Sequence, residues 1–268
     1  MTFLRWAGSK KQLGDVLSNC WHAAQCAGGT GRYFEAFCGS ASLFFCVRPK
    51  SAVLVDINTP LIDCLQTVKT HPKAVADCLA QLPLGSTHYY QLRRERKDEE
   101  PSIEGAARFI YLNRLCFNGL YRTNSKGAFN VPFGGTKNGP LPDSTTLLES
   151  SKSLQRASLV NGDFFLEVIT RVKKGDFVYL DPPYARRNHR IDLQYGPDVF
   201  GIEDLRRLFE LLIHIDMIGA FFVFSYANCG EVEYFSRRWR GYEVEVQRHI
   251  AANTKKRKKV KEILIANY

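Results

Sequence analysis

The apolar positions of the chain follow two periods. Short runs of consecutive apolar residues, bounded by small or polar ones, alternate with stretches in which apolar residues return every three to four positions. The first pattern suits strands covered on both faces, and the second suits helices that bury one face. Arg32–Phe37 reads as a strand ending on Cys38-Gly39-Ser40, after which Ala41–Val47 suits a helix. Ala52–Asp56 is a second short strand closed by an acid, and Thr59–Lys69 carries apolar residues at helical spacing. Strand, small-residue turn, helix and strand in that order make a βαβ unit and predict a parallel sheet.

From about Leu61 to Gly119 the pattern is helical, with Tyr89, Leu92, Phe109, Leu112 and Leu115 as core candidates. Gly119–Asp143 is instead rich in Gly, Pro, Asn and Thr with isolated aromatics, which predicts turns and a loop or hairpin. The sheet pattern resumes with Ser158–Asn161, a helix around Phe164–Val172, and the strand Phe177–Leu180. Ile202–Met217 is an amphipathic helix, Ala220–Ser225 reads as a central strand, and Glu243–Ile250 with Val260–Ala266 as a terminal hairpin. The expected fold is α/β, a Rossmann-like sheet built from residues 1–57 and 145–268, with a helical and loop domain inserted at 58–144.

Chemistry concentrates after the strand Phe177–Leu180. Asp181-Pro182-Pro183-Tyr184 falls at its carboxyl end, where open α/β sheets bind their ligands. Consecutive prolines fix φ and remove N–H donors, so the Asp181 carboxylate and the Pro182 carbonyl become two acceptors at a set separation. Two such acceptors suit an –NH2 group, although the same four residues also suit a plain turn after a strand. Phe37-Cys38-Gly39-Ser40-Ala41-Ser42 follows the first strand and Asp56 ends the next, about 20 residues on, a distance at which an acid accepts from ribose hydroxyls. With Gly39 as its single glycine, that turn suits a ribose without phosphates better than a pyrophosphate, and a nucleoside such as S-adenosylmethionine is of that kind.

Composition adds constraints rather than identity. The 268 residues are 45% hydrophobic and 12% aromatic, enough for a full core, and 37 Lys and Arg against 27 Asp and Glu give a net charge of +10. Such an excess favours an anionic partner. Eight cysteines without Cys-x-x-Cys pairs or zinc spacing read as reduced, mostly buried thiols, and no metal is expected. The chain shows neither a signal-peptide pattern nor an apolar run of membrane-spanning length, which predicts a cytoplasmic protein.

Five segments, taken in order, resemble the DNA adenine methylases of the Dam type (D12 class) over essentially the whole chain. They are Phe3–Lys10, Glu35–Ser42, Asp56-Ile57-Asn58, Tyr111–Arg114 through Phe129–Gly134, and Asp181–Tyr184. Ser9 stands where the family usually has glycine, and Ser40-Ala41-Ser42 replaces a more glycine-rich turn. The resemblance implies transfer of a methyl group from S-adenosylmethionine to the N6 amine of an adenine flipped out of double-stranded DNA, in GATC or a related short site. It implies that Trp6, Lys10, Phe37, Gly39, Asp56, Asp163, Phe164 and Asp181 line the cofactor pocket, with Lys10 near the methionine carboxylate. Phe164 suits a plain core position as well.

The same resemblance makes Asp181, Pro182 and Tyr184 the catalytic group, Tyr184 stacking on the flipped base. Residues 58–144 become the target-recognition domain. There Arg122 suits a bidentate contact to guanine, Phe117 a wedge into the stack, Leu120 and Pro132 a thymine methyl, and Asn118 and Asn124 polar base readout, with Arg5 as a second guanine or phosphate contact. The basic runs Arg186–Arg190 and Lys255–Lys259 suit phosphates or a solvated surface. A monomer is expected. Two rival readings stand beside this one: the same cofactor with RNA adenine, cytosine N4 or a protein glutamine as acceptor, and a catalytically silent DNA-binding module.

Overall fold

A computed structural model of the chain describes residues 2–8, 10, 13–95, 101–135, 139–183, 200–227, 230, 232–247 and 259–268. Tyr184 and the run Arg186–Arg190 lie outside the described residues, as do Lys255 to Lys258 of the second basic run and Cys229.

The chain forms the expected α/β sheet. Strands β1 (Tyr33–Glu35), β2 (Ala52–Asp56), β3 (Ala157–Asn161), β4 (Phe177–Leu180), β5 (Phe221–Ala227), β6 (Arg240–Gln247) and β7 (Lys259–Ala266) lie in the order β3-β2-β1-β4-β5-β7-β6. The first five run parallel, whereas β7 pairs antiparallel with both β5 and β6. Alternation along the strands explains the continuous apolar runs. Tyr33, Leu54, Phe177, Tyr179 and Val223 join one core, and Phe34, Val53, Val55, Val178, Leu180, Phe222 and Phe224 join another on the opposite face.

Helix α1 (Gly14–Cys26) was not among the expected elements. It buries Leu17, Trp21 and Ala24, and the Trp21 ring meets Tyr33 and Phe177 edge-on at 5.5 and 5.3 Å. α2 (Ser42–Val47) follows the β1 turn. The expected helical region resolves into α3 (Thr59–Thr70), α4 (Pro72–Ala80), α5 (Ser86–Arg94) and α6 (Ile103–Leu115). Asn58 caps α3 by accepting from the Leu61 N–H, and Ser102 caps α6 through the Gly105 N–H. These helices share the first apolar core with the sheet, α3 lying against β3 and β2.

Residues 117–135 form an irregular hairpin, with isolated bridges Thr123↔Phe129 and Cys116↔Phe133. Gly127 turns its tip at φ +74°. α7 (Ser144–Leu154), which the sequence pattern did not suggest, buries two serines along with Leu147 and Leu154, a face too polar to stand out. α8 (Phe164–Ile169), α9 (Ile202–Met217) and the short α10 (Glu233–Ser236) complete the layers. The terminal hairpin starts earlier than expected, at Arg240. Cys38, Cys64 and Cys116 are buried but Cys26 and Cys46 are exposed, fewer buried thiols than the composition suggested. No described helix is long and apolar enough to cross a membrane.

Candidate active site

The chain leaves β1 towards β2 on one side and β4 towards β5 on the other, so a crevice opens between the carboxyl ends of β1 and β4. The β1 turn is held to both neighbouring strands. Ala36 donates its N–H to the Tyr179 carbonyl at 3.0 Å, and Cys38 donates to Val55 at 2.9 Å. Asp181-Pro182-Pro183 emerges opposite, directly after Leu180.

On the β1 side, Gly39 adopts φ +48°, and a Cβ there would stand 2.8 Å from the Trp6 indole. Only a glycine combines that backbone with that proximity. The Gly39 N–H donates to Asp56 Oδ2 at 2.9 Å and the Asn58 N–H to Oδ1 at 3.0 Å, so Asp56 ties the turn to the end of β2. Burial pushes the Asp56 carboxyl above its ordinary range, while these N–H groups pull it back. Trp6 stacks on Tyr121 with ring centroids 5.6 Å apart, and burial pushes the Tyr121 phenol to about 12. Trp6, Gly39 and Asp56, separated in sequence, thus form one wall with Tyr121, which sequence reasoning had given no role.

On the β4 side, the Asp181 carboxylate sits in a charged network. Lys10 Nζ lies 3.2 Å from Asp181 Oδ1, and 3.0 and 3.2 Å from the two oxygens of Glu262 on β7. Ser225 on β5 donates its hydroxyl to the same Asp181 Oδ1 at 2.9 Å, and the Tyr179 hydroxyl lies 3.0 Å from Ser225 Oγ. Removal from water pushes Asp181 above the usual carboxylate range; Lys10 and Ser225 oppose this, whereas Glu262 adds to it. Beneath the site, Glu35 at the end of β1 is buried, accepts from the Tyr33 hydroxyl at 2.9 Å, and is raised by burial to about 8. Glu35, Tyr179, Ser225 and Glu262 carried no role in the sequence reading, since each falls within a stretch that reads as a plain strand.

Asp163 caps α8, accepting at Oδ1 from the Phe165 and Leu166 N–H groups, and also receives Arg207 of α9 on that oxygen. Phe164 is 6% exposed, its ring 4.9 Å from Phe37 and covered by the Arg207 guanidinium at 5.2 Å. The structure therefore gives Phe164 a core position, and it brings Phe37 against it.

The proposed DNA-reading residues gather on the hairpin and on the N-terminal segment beside it. Asn113 clamps the Arg5 backbone, accepting from its N–H at 2.8 Å and donating to its carbonyl at 2.6 Å, and Arg5 Nη1 donates to the Arg114 carbonyl at 3.2 Å. Gly119 permits that approach, because a Cβ there would meet Arg5 Cβ at 2.8 Å. Arg122 donates from Nε to Asn130 Oδ1 at 2.7 Å. Asn118 is exposed at φ +55°, Pro132 is exposed, and Phe117 and Leu120 are half-buried. The Asn124 side-chain oxygen is taken up by the hairpin tip, accepting from the Lys126 and Ala128 N–H groups. Among the described residues no group of three or more His, Cys, Asp or Glu is placed to hold a metal ion.

Comparison with known proteins matches residues 6–250 to the family described as D12 class N6 adenine-specific DNA methyltransferase. The chain is 32% identical to the Type II methyltransferase M1.LlaDCHI of Lactococcus lactis subsp. cremoris, across 99% of this chain and 95% of that relative. It is 31% identical to the Type II methyltransferase M.MjaIII of Methanocaldococcus jannaschii, across 99% and 98%. Similarity to the DNA adenine methylase of Escherichia coli K12 is 30%, across 98% of this chain and 93% of that one.

Proposed function

The chain belongs to the D12 class N6 adenine-specific DNA methyltransferases, and from that premise we propose that it takes its methyl group from S-adenosylmethionine and places it on an adenine flipped out of a short duplex site, GATC or a close relative. The observation that carries this reading is the meeting of the Asp181-Pro182 acceptors with the Gly39–Asp56 wall at the carboxyl ends of adjacent parallel strands. The wall also fits the donor. Its glycine cradle, stacked indole and strand-end carboxylate suit a nucleoside.

When bound, S-adenosylmethionine supplies an electrophilic methyl group. Asp56 would accept from its ribose hydroxyls, Trp6 and Gly39 would line its path, and Asp163 would face its adenine with Phe37 and Phe164 behind. The target adenine hides its amine in the stack, so unstacking costs a few kcal/mol. Tyr184 would stack on the extruded base. The Asp181 carboxylate and Pro182 carbonyl then accept the two amine hydrogens and draw N6 towards a tetrahedral geometry, which exposes its lone pair. Their contribution is orientation and a negative field matched to the ammonium that develops on N6. That ammonium is acidic enough to lose its proton without a strong base.

Residues 58–144 act as the target-recognition domain, with Arg122 reading guanine, and the protein works as a cytoplasmic monomer. Labelled-methyl transfer to duplex DNA, RNA and protein, followed by sequencing of methylated sites from an oligonucleotide library, tests the reading. N6-methyladenine in one short DNA context is expected; label in RNA or protein, or adenine methylation spread evenly over contexts, would overturn it.

A further inference from the structure

Among the described residues, the donors to Asp181 meet one of its two oxygens. Lys10 Nζ at 3.2 Å and Ser225 Oγ at 2.9 Å both converge on Oδ1. Each of these donors is held from behind. Ser225 is fully buried and gives its single hydroxyl hydrogen to Asp181, so the Tyr179 hydroxyl 3.0 Å away must donate to Ser225 Oγ rather than accept from it. Lys10 is 8% exposed and is held by both oxygens of Glu262, itself 2% exposed. Two donors, from the N-terminal segment and β5, therefore meet on one oxygen of the carboxylate, and β7 and β4 back them through Glu262 and Tyr179. A carboxylate bonded through one oxygen cannot rotate without losing charge-assisted hydrogen bonds.

We infer that Ser225 and Glu262 are positioning residues for methyl transfer: Ser225, backed by Tyr179, and Glu262, acting through Lys10, hold Asp181 by Oδ1 and so present Oδ2 to the target amine. This rests on the proposed reading of Asp181 as an acceptor for N6. Glu262 does a second thing. Its negative charge shares Lys10 with Asp181, which keeps the ammonium from neutralising the carboxylate that must face the developing positive charge on adenine. β7, inserted antiparallel between β5 and β6, is the element that delivers this carboxylate, and it gives the non-parallel edge of the sheet a part in the chemistry.

The test measures four quantities on the full chain: the single-turnover methylation rate with duplex DNA, the affinity for that duplex, the affinity for S-adenosylhomocysteine by calorimetry, and Tm. Ser225→Ala is expected to slow single turnover about tenfold to a hundredfold, the loss of one hydrogen bond to a charged group, with both affinities within about twofold of wild type and Tm little changed. Tyr179→Phe, one bond further out, should slow it less. Glu262→Gln should slow it about tenfold, and Ser225→Thr, which keeps the hydroxyl, should recover much of the loss. Equal losses in rate, affinity and Tm, or rates unchanged in Ser225→Ala and Glu262→Gln, would overturn the inference. Failure of the wild-type chain to methylate DNA would instead overturn the reading on which it rests.

Discussion

Glu35 offers a perturbation whose size follows from its surroundings. Its carboxyl is 2% exposed at the end of β1, accepts from the Tyr33 hydroxyl and a Phe44 N–H, and is raised from an ordinary 4.5 to about 8, first by burial and further by the negative charge of Asp181. Between those two values the folded chain keeps a proton that the unfolded chain has released. Stability therefore falls as pH rises through this window and levels off above about 8. Glu35→Gln fills the same volume, keeps an acceptor for Tyr33, and does not titrate. Wild type should lose about 3 kcal/mol relative to this variant between about pH 5 and about pH 8. The difference reports Glu35 together with its coupling to Asp181, because Asp56 and Asp181, whose pKa values are also raised, titrate in both proteins. Equilibrium urea unfolding followed by circular dichroism across that range measures it. A difference independent of pH would refute the assignment of a protonated buried carboxyl beneath the site.

Gly39→Ala sets a methyl group 2.8 Å from the Trp6 indole at φ +48°; it should shift Trp6 fluorescence and weaken S-adenosylhomocysteine binding at least about tenfold, read by calorimetry. Asp56→Ala removes the acceptor of the Gly39 and Asn58 N–H groups and should weaken the same ligand about tenfold to a hundredfold while sparing DNA affinity, measured by anisotropy. Arg122→Lys keeps the charge and loses the fork, so discrimination against a changed guanine should relax by about 1 to 3 kcal/mol in a site-library assay, with salt dependence little altered.

The sheet was legible in sequence because its strands are covered on both faces, so that runs such as Phe177–Leu180 and Ala52–Asp56 stand out unbroken. Their acidic ends, Asp56 and Asp181, marked the site for the same reason: an acid closing an apolar strand is conspicuous. Glu35 and Glu262 were not conspicuous, since the sequence pattern carries the first strand on to Phe37 and so hides Glu35 within it, and only pairing across the sheet brings Glu262 to Lys10. Serine-rich α7 was invisible because Ser150 and Ser151 are buried by bonding to backbone carbonyls of Thr146 and Lys69, which no hydropathy pattern records. Lys10 was legible as a site residue, yet its pairing with two carboxylates was not, because those partners lie far along the chain.

The most direct test of the account compares wild type with Asp181→Ala by mass spectrometry of nucleosides after incubation with S-adenosylmethionine and duplex DNA. Wild type should yield N6-methyladenine, and the variant less than about a hundredth of that amount, with the far-UV spectrum unchanged, as expected when an acceptor that orients the reacting amine is removed. Near-normal yield from the variant, or a wild-type product methylated elsewhere than N6, would contradict it.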